Sequence, residues 1–156
     1  MIIKSNEINK INLAKERLFL LYGKNKGLKD EIIKFLLAYK HEILTYDENE
    51  LLNNQDEFIE KTFTKSLFEP TKQIIIKRAS DKILKVVEEI HDKNLDDIRI
   101  IINADNLEKK SKLRSFFEKN KNLICIPFYP DNNQVLLKLA YNFFKEKKIT
   151  ISSVNI

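Results

Sequence analysis

Short solid apolar runs alternate with apolar stripes of helical period along this chain, and the alternation predicts its elements. Residues Met1–Lys15 form a polar lead-in with scattered isoleucines. Arg17–Tyr22 is an apolar run stopped by Gly23, which predicts a buried strand. Leu28, Ile32, Phe35, Leu36 and Tyr39 share one face of a helix predicted over Gly27–Lys40. Glu42–Tyr46 reads as a weaker strand and Asp47–Asn54 as a polar helix or loop. Gln55–Phe68 reads as a helix, with Ile59, Phe63 and Leu67 stacked one turn apart. Pro70 lacks the amide needed to continue it and disfavours helical geometry at Glu69.

The second half repeats the scheme. Lys72–Arg78 is a strand whose consecutive isoleucines, Ile74 to Ile76, imply burial on both faces. Asp81–His91 reads as a helix with Asp81 as its N-cap. Ile98–Asn103 is the next strand, and Leu107–Asn120 a basic amphipathic helix that uses Leu113, Phe116 and Phe117 as core contacts. Leu123–Pro127 is the last strand. Phe128–Asn133 is a turn cluster and the best boundary in the chain. Gln134–Lys147 is one more helix, and Ile149–Ile156 a stub.

Parallel strands need crossover connections, usually helices. The economical fold is therefore α/β: a three-layer sandwich of about five mostly parallel strands, with P-loop-like topology. Its 156 residues suit about one domain and need no staples.

Composition narrows the function classes. Hydrophobic residues make up 43% and charged residues 33%, as in a soluble globular domain. With only 2 glycines, glycine-rich phosphate loops are nearly excluded. The single cysteine, Cys125, sits in the apolar run Leu123–Ile126 and reads as a small core residue in a reducing, cytoplasmic setting. The opening Met1–Glu7 lacks the pattern of a signal peptide, and no apolar stretch reaches membrane-spanning length. The net charge of +5 suits an anionic partner such as DNA, but the 28 basic and 23 acidic residues are interspersed.

Chemistry is conspicuous for its missing parts. A P-loop needs G-x-x-x-x-G-K-[ST]: amides around the phosphates, a lysine on them and a hydroxyl on magnesium. Where the first strand ends, Gly23-Lys24-Asn25-Lys26-Gly27-Leu28-Lys29-Asp30 brings the second glycine one residue early and sets Asp30 in place of the hydroxyl. A carboxylate there repels phosphate. The strand ending in Ala104-Asp105-Asn106 offers one acid where an acidic pair is wanted, and Asp105 reads as a cap or turn residue. His41 and His91 lack partners at metal-ligand spacing. Glu88-Glu89 and Asp96-Asp97 lie in solvated stretches. No catalytic residue, cofactor, nucleotide or metal site is expected from these residues.

Several segments taken in order resemble the delta family of bacterial clamp-loader subunits of DNA polymerase III. They are Leu18-Phe19-Leu20-Leu21-Tyr22-Gly23, Ser66-Leu67-Phe68, Ile74-Ile75-Ile76-Lys77-Arg78, and the stretch from Ile101-Ile102-Asn103-Ala104-Asp105-Asn106 through Leu107-Glu108-Lys109-Lys110-Ser111-Lys112-Leu113. The resemblance implies an AAA+-like domain over residues 1–130 without ATPase motifs. Residues 131–156 would then hold the first helix of a truncated helical lid domain, without the ring-forming collar. It also implies a role: binding and opening the sliding clamp (the beta subunit) during DNA replication, beside other clamp-loader subunits and without ATP hydrolysis by this chain.

In that family an exposed Leu-Phe pair at a helix end plugs an apolar pocket on the clamp, and the matching residues here are Leu67 and Phe68. Periodicity sets a bland reading beside it, because Leu67 continues the Ile59–Phe63 stripe into the core. Two alternatives stay open. One is a degenerate P-loop nucleotide-binding enzyme. The other is a basic nucleic-acid-binding domain that meets DNA phosphates with Lys109, Lys110, Lys112 and Arg114.

Overall fold

The computed structural model describes residues 1–37, 43–64, 72–93 and 95–149. Among these residues five strands build one sheet: β1 (Leu18–Gly23), β2 (Ile43–Asp47), β3 (Lys72–Ala79), β4 (Ile98–Ala104) and β5 (Ile124–Phe128). Their spatial order is β2-β3-β4-β1-β5, and every pair is parallel. Among the described residues six α-helices accompany them: α1 (Lys26–Leu36), α2 (Glu48–Asn53), α3 (Gln55–Phe63), α4 (Leu84–His91), α5 (Lys112–Lys119) and α6 (Asn133–Glu146).

The isoleucine and leucine runs explain the layers. Side chains alternate across a strand, so a run apolar at every position needs a cover on both faces. Register lines these runs up. Ile76, Ile102, Leu20 and Cys125 form one row across the sheet; Ile75, Ile101, Phe19 and Ile124 form the row on the other face. The first row packs with Leu51, Phe58, Val86, Val87, Ile90, Leu113 and Phe117, which come from α2 to α5. The second packs with Ile33 and Leu36 of α1 and with Ile3, Ile8 and Ile11. The result is a three-layer α/β domain with an all-parallel sheet, an arrangement that fits a P-loop-like topology.

The lead-in is therefore part of the core rather than a polar leader. A 3-10 helix over Ser5–Lys10 turns Ile8 inward. Ile2 bridges Cys125 in parallel, with Ile3 N donating to Cys125 O at 2.9 Å and Cys125 N to Met1 O at 2.9 Å. The Met1 ammonium adds a bond to Asn120 O at 3.0 Å. Arg99, buried on β4, fastens this layer from inside. Its Nη1 donates to Leu36 O at 2.9 Å, at the end of α1, and its Nη2 to Leu13 O at 2.6 Å.

Four helices depart from the pattern-based expectation. α1 ends at Leu36 rather than at the expected Lys40. α3 stops at Phe63, short of the expected Phe68, and Thr64 is extended. The Thr64 hydroxyl turns back to Glu60 O at 2.7 Å, and the Lys72 ammonium donates to Lys61 O at 2.7 Å and to Thr64 O, satisfying the final carbonyls. α5 begins at Lys112 rather than Leu107, under the cap of Ser111. The helix expected over Asp81–His91 is a 3-10 turn over Asp81–Ile83 leading into α4, with Ser80 as the cap and Asp81 turned elsewhere. α6 has no buried residue, and Leu136, Leu139 and Phe143 are exposed.

Candidate functional site

The carboxyl ends of β1, β4 and β5 meet where a ligand crevice forms in open α/β sheets. At the tip of β1 the chain must leave the strand beside Phe128, and Gly23 alone allows it. Its φ is +126°, and a Cβ there would stand 2.1 Å from Phe128 O. Gly27 carries no such demand, with nothing within 4 Å of its Cβ position.

Only Lys24 and Asn25 separate β1 from α1, and four amides in and beside this tight turn find partners within the protein. Gly23 N donates to Asp105 O at 2.9 Å, Asn25 N to Phe128 O at 3.5 Å, and Lys26 N to Lys24 O at 3.0 Å. Leu28 N donates to Asn25 Oδ1 at 3.2 Å, which caps α1. The Asn25 side chain in turn donates to Asp131 Oδ2 at 2.8 Å, tying the turn to the segment before α6. A phosphate cradle requires such amides to converge on a ligand.

Lys29 completes the closure. It is 3% exposed on α1, and its ammonium donates to Ala104 O at 2.7 Å, at the end of β4. Burial lowers its pKa, partly opposed by Asp105 and Asp30. Nothing local marks this residue, because a lysine one turn into a helix carries no signal that its head is buried.

Comparisons with known proteins add no family assignment. No protein-family model matches this chain, and no curated protein matches it.

On the other side of β1 lies a cleft of about 230 Å³ lined by Tyr22, Lys24, Asn106, Leu107, Arg114 and Tyr129, among others. Arg114 is its organised cation. The guanidinium stacks on the Tyr22 ring at 4.9 Å, Nε donates to Glu118 Oε1 at 2.7 Å, and Nη1 donates to Leu107 O at 3.3 Å. Burial raises the Tyr22 hydroxyl pKa well beyond its ordinary range. Tyr129 stands 69% exposed at the mouth.

The structure divides the four basic residues of the α5 region. Lys109, Lys110 and Lys112 are exposed, Lys110 within 3.1 Å of Glu108. Arg114 is half-buried in the cleft wall and turned away from that set. Asp81 caps α5 from outside: Oδ1 accepts from the Ser111 hydroxyl and from Leu113 N, and Oδ2 from Lys112 N.

Leu67 and Phe68 lie outside the described residues, as does His41. His91 is half-buried, edge-on to Phe116 at 5.6 Å between centroids. Cys125 is fully buried, and burial pushes its thiol up to about 12, far from a reactive thiolate. Among the described residues no three His, Cys, Asp or Glu gather as a metal site, and no helix is long and apolar enough to cross a membrane.

Proposed function

We propose that this chain is the leading, clamp-binding portion of a DNA polymerase III delta-type subunit. It binds and opens the sliding clamp during DNA replication and hydrolyses no ATP itself. The observation that carries the reading is the β1–α1 turn, where the Gly23, Asn25, Lys26 and Leu28 amides are bonded within the protein, with the Lys29 ammonium fixed on Ala104 O at 2.7 Å beside it. A nucleotide-type scaffold closed at its cradle suits a subunit that works by binding. The nucleotide-enzyme alternative asks for phosphate donors, and this turn already uses most of its own.

On this reading residues 1–130 are an AAA+-like domain and residues 131–156 open a helical lid. The exposed apolar side chains of α6 are what a lid helix presents when its neighbours are absent. Leu67 and Phe68, four and five residues beyond the end of α3, form the knob that enters the clamp. Two such side chains contribute ~1.5–3 kcal/mol each on burial, enough for a binding hot spot. Opening follows if the surface fits the sprung clamp better than the closed one, since a ligand shifts an equilibrium only by its preference for one state. The other clamp-loader subunits are further partners, Lys109, Lys110 and Lys112 are the residues nearest in kind to a DNA contact, and the setting is the cytoplasm.

The test is whether the purified chain forms a complex with the sliding clamp of its own cell. Leu67→Ala with Phe68→Ala should abolish the complex while thermal melting stays nearly unchanged. No complex at all, or a double variant that melts far lower, overturns the proposal.

A further inference from the structure

The cleft beside Tyr22 and Arg114 takes no part in the clamp-binding reading, yet it is organised for a ligand. We propose that it binds a compact anion with a flat apolar body, of the aromatic-carboxylate class. Four observations converge on that chemistry.

The first is place. The cleft opens at the carboxyl ends of β1, β4 and β5, where α/β sheets form their ligand crevices. The second is size. A dry cavity of about 150 Å³ holds a benzene molecule. At about 230 Å³ this open cleft has room for one ring with its substituent.

The third is the lining. Leu107, Phe128, Tyr129 and Pro130 supply apolar surface, and the Tyr129 ring is uncovered. The fourth is charge. Arg114 is held on three sides by Tyr22, Glu118 and Leu107 O, and its Nη2 has no hydrogen bond among the described residues. A guanidinium fixed in this way loses little freedom when it meets a carboxylate. Lys24 adds a second cation on the rim, with no ion pair among the described residues.

The donor set favours a carboxylate over a phosphate. Phosphate sites recruit helix N-terminal amides, and here those of α5 are taken. Asp81 holds Lys112 N and Leu113 N, and Ser111 Oγ holds Arg114 N. The Gly23, Asn25, Lys26 and Leu28 amides at the β1–α1 turn are likewise bonded internally. With Arg114 Nε already paired to Glu118, Arg114 Nη2 and the Lys24 ammonium are the donors left for one carboxylate on an apolar body.

Backbone amide NMR of the purified chain, titrated separately with benzoate, acetate and inorganic phosphate, tests this. Benzoate should give saturable shifts centred on Gly23, Lys24, Asn106, Leu107 and Tyr129, while acetate and phosphate do not saturate over the same range. Lys24→Gln should weaken benzoate about threefold, the effect of removing one exposed charge partner, and Tyr129→Ala should weaken it as well. Both side chains are exposed, so these variants retain the fold. Shifts scattered over the surface without saturation, equal saturation by phosphate or acetate, or affinities unchanged in both variants would overturn the proposal. None of these outcomes depends on the sliding clamp.

Discussion

The Asp81 carboxylate accepts the Ser111 hydroxyl at 2.5 Å, so a residue at the head of one helical segment closes the head of another. Together with Lys112 N and Leu113 N it satisfies donors that α5 cannot satisfy alone.

Asp81→Ala should therefore destabilise the protein by about 1 kcal/mol, the ordinary cost of a lost cap. Burial tends to raise this carboxyl, but the Ser111 hydroxyl and the two amides outweigh it and leave the pKa below the usual aspartate range. A group depressed in the folded state contributes stability above its unfolded pKa of about 3.9, and that contribution is lost as pH falls through the folded value. Urea unfolding at stepped pH should show a shallower acid-side decline in Asp81→Asn than in the wild type.

Arg99→Met should cost about 2 kcal/mol, because it strips the buried Leu36 carbonyl of a charged donor and leaves the half-buried Leu13 carbonyl with Arg17 alone. Denaturant melts give the loss. Proteolysis of the native state should cut first within the lead-in before β1, which the same guanidinium anchors.

The two glycines should respond in opposite directions. Gly23→Ala meets Phe128 O at 2.1 Å and must hold a φ of +126°, so it should destabilise by about 3 kcal/mol or more. Gly27→Ala sits in a helix with open space around it and should stabilise by about 0.4–1 kcal/mol. Paired thermal melts decide the matter.

Millimolar ATP with magnesium should leave the melting temperature of the wild-type chain unchanged, because a ligand stabilises only a fold it binds. A concentration-dependent rise would restore the nucleotide-enzyme alternative.

The strands were legible because their signal is local. Each isoleucine-rich run marks a strand within about one residue of its observed ends, and β3 begins at Lys72 as the pattern predicts. The alternation of strands and helices gave the parallel three-layer plan for the same reason. What escaped notice depends on long-range partners. The wide spacing of Ile3, Ile8 and Ile11 hid a core segment, because its mates lie on α1, β1 and β5. Asp81 looked like a cap for its own helix, and nothing nearby in sequence announced Ser111 as its partner. The early end of α3 rests on Lys72, which lies in the next strand. At the candidate site, the wrong spacing of the P-loop was readable, but the buried head of Lys29 and the stacking of Arg114 on Tyr22 were not. Both are tertiary contacts between residues far apart in the chain.

The pairing of Ile2 with Cys125 leaves the sheet with two unlike margins. On the β5 side the chain's own first residues occupy the outward backbone groups of Cys125, so a foreign strand finds that stretch already taken. On the β2 side β3 is the only neighbouring strand among the described residues, and Ile43 is 46% exposed. Any fibre-like stacking of this protein would therefore start from β2, and a charged residue at position 43 is the economical way to keep concentrated samples monomeric.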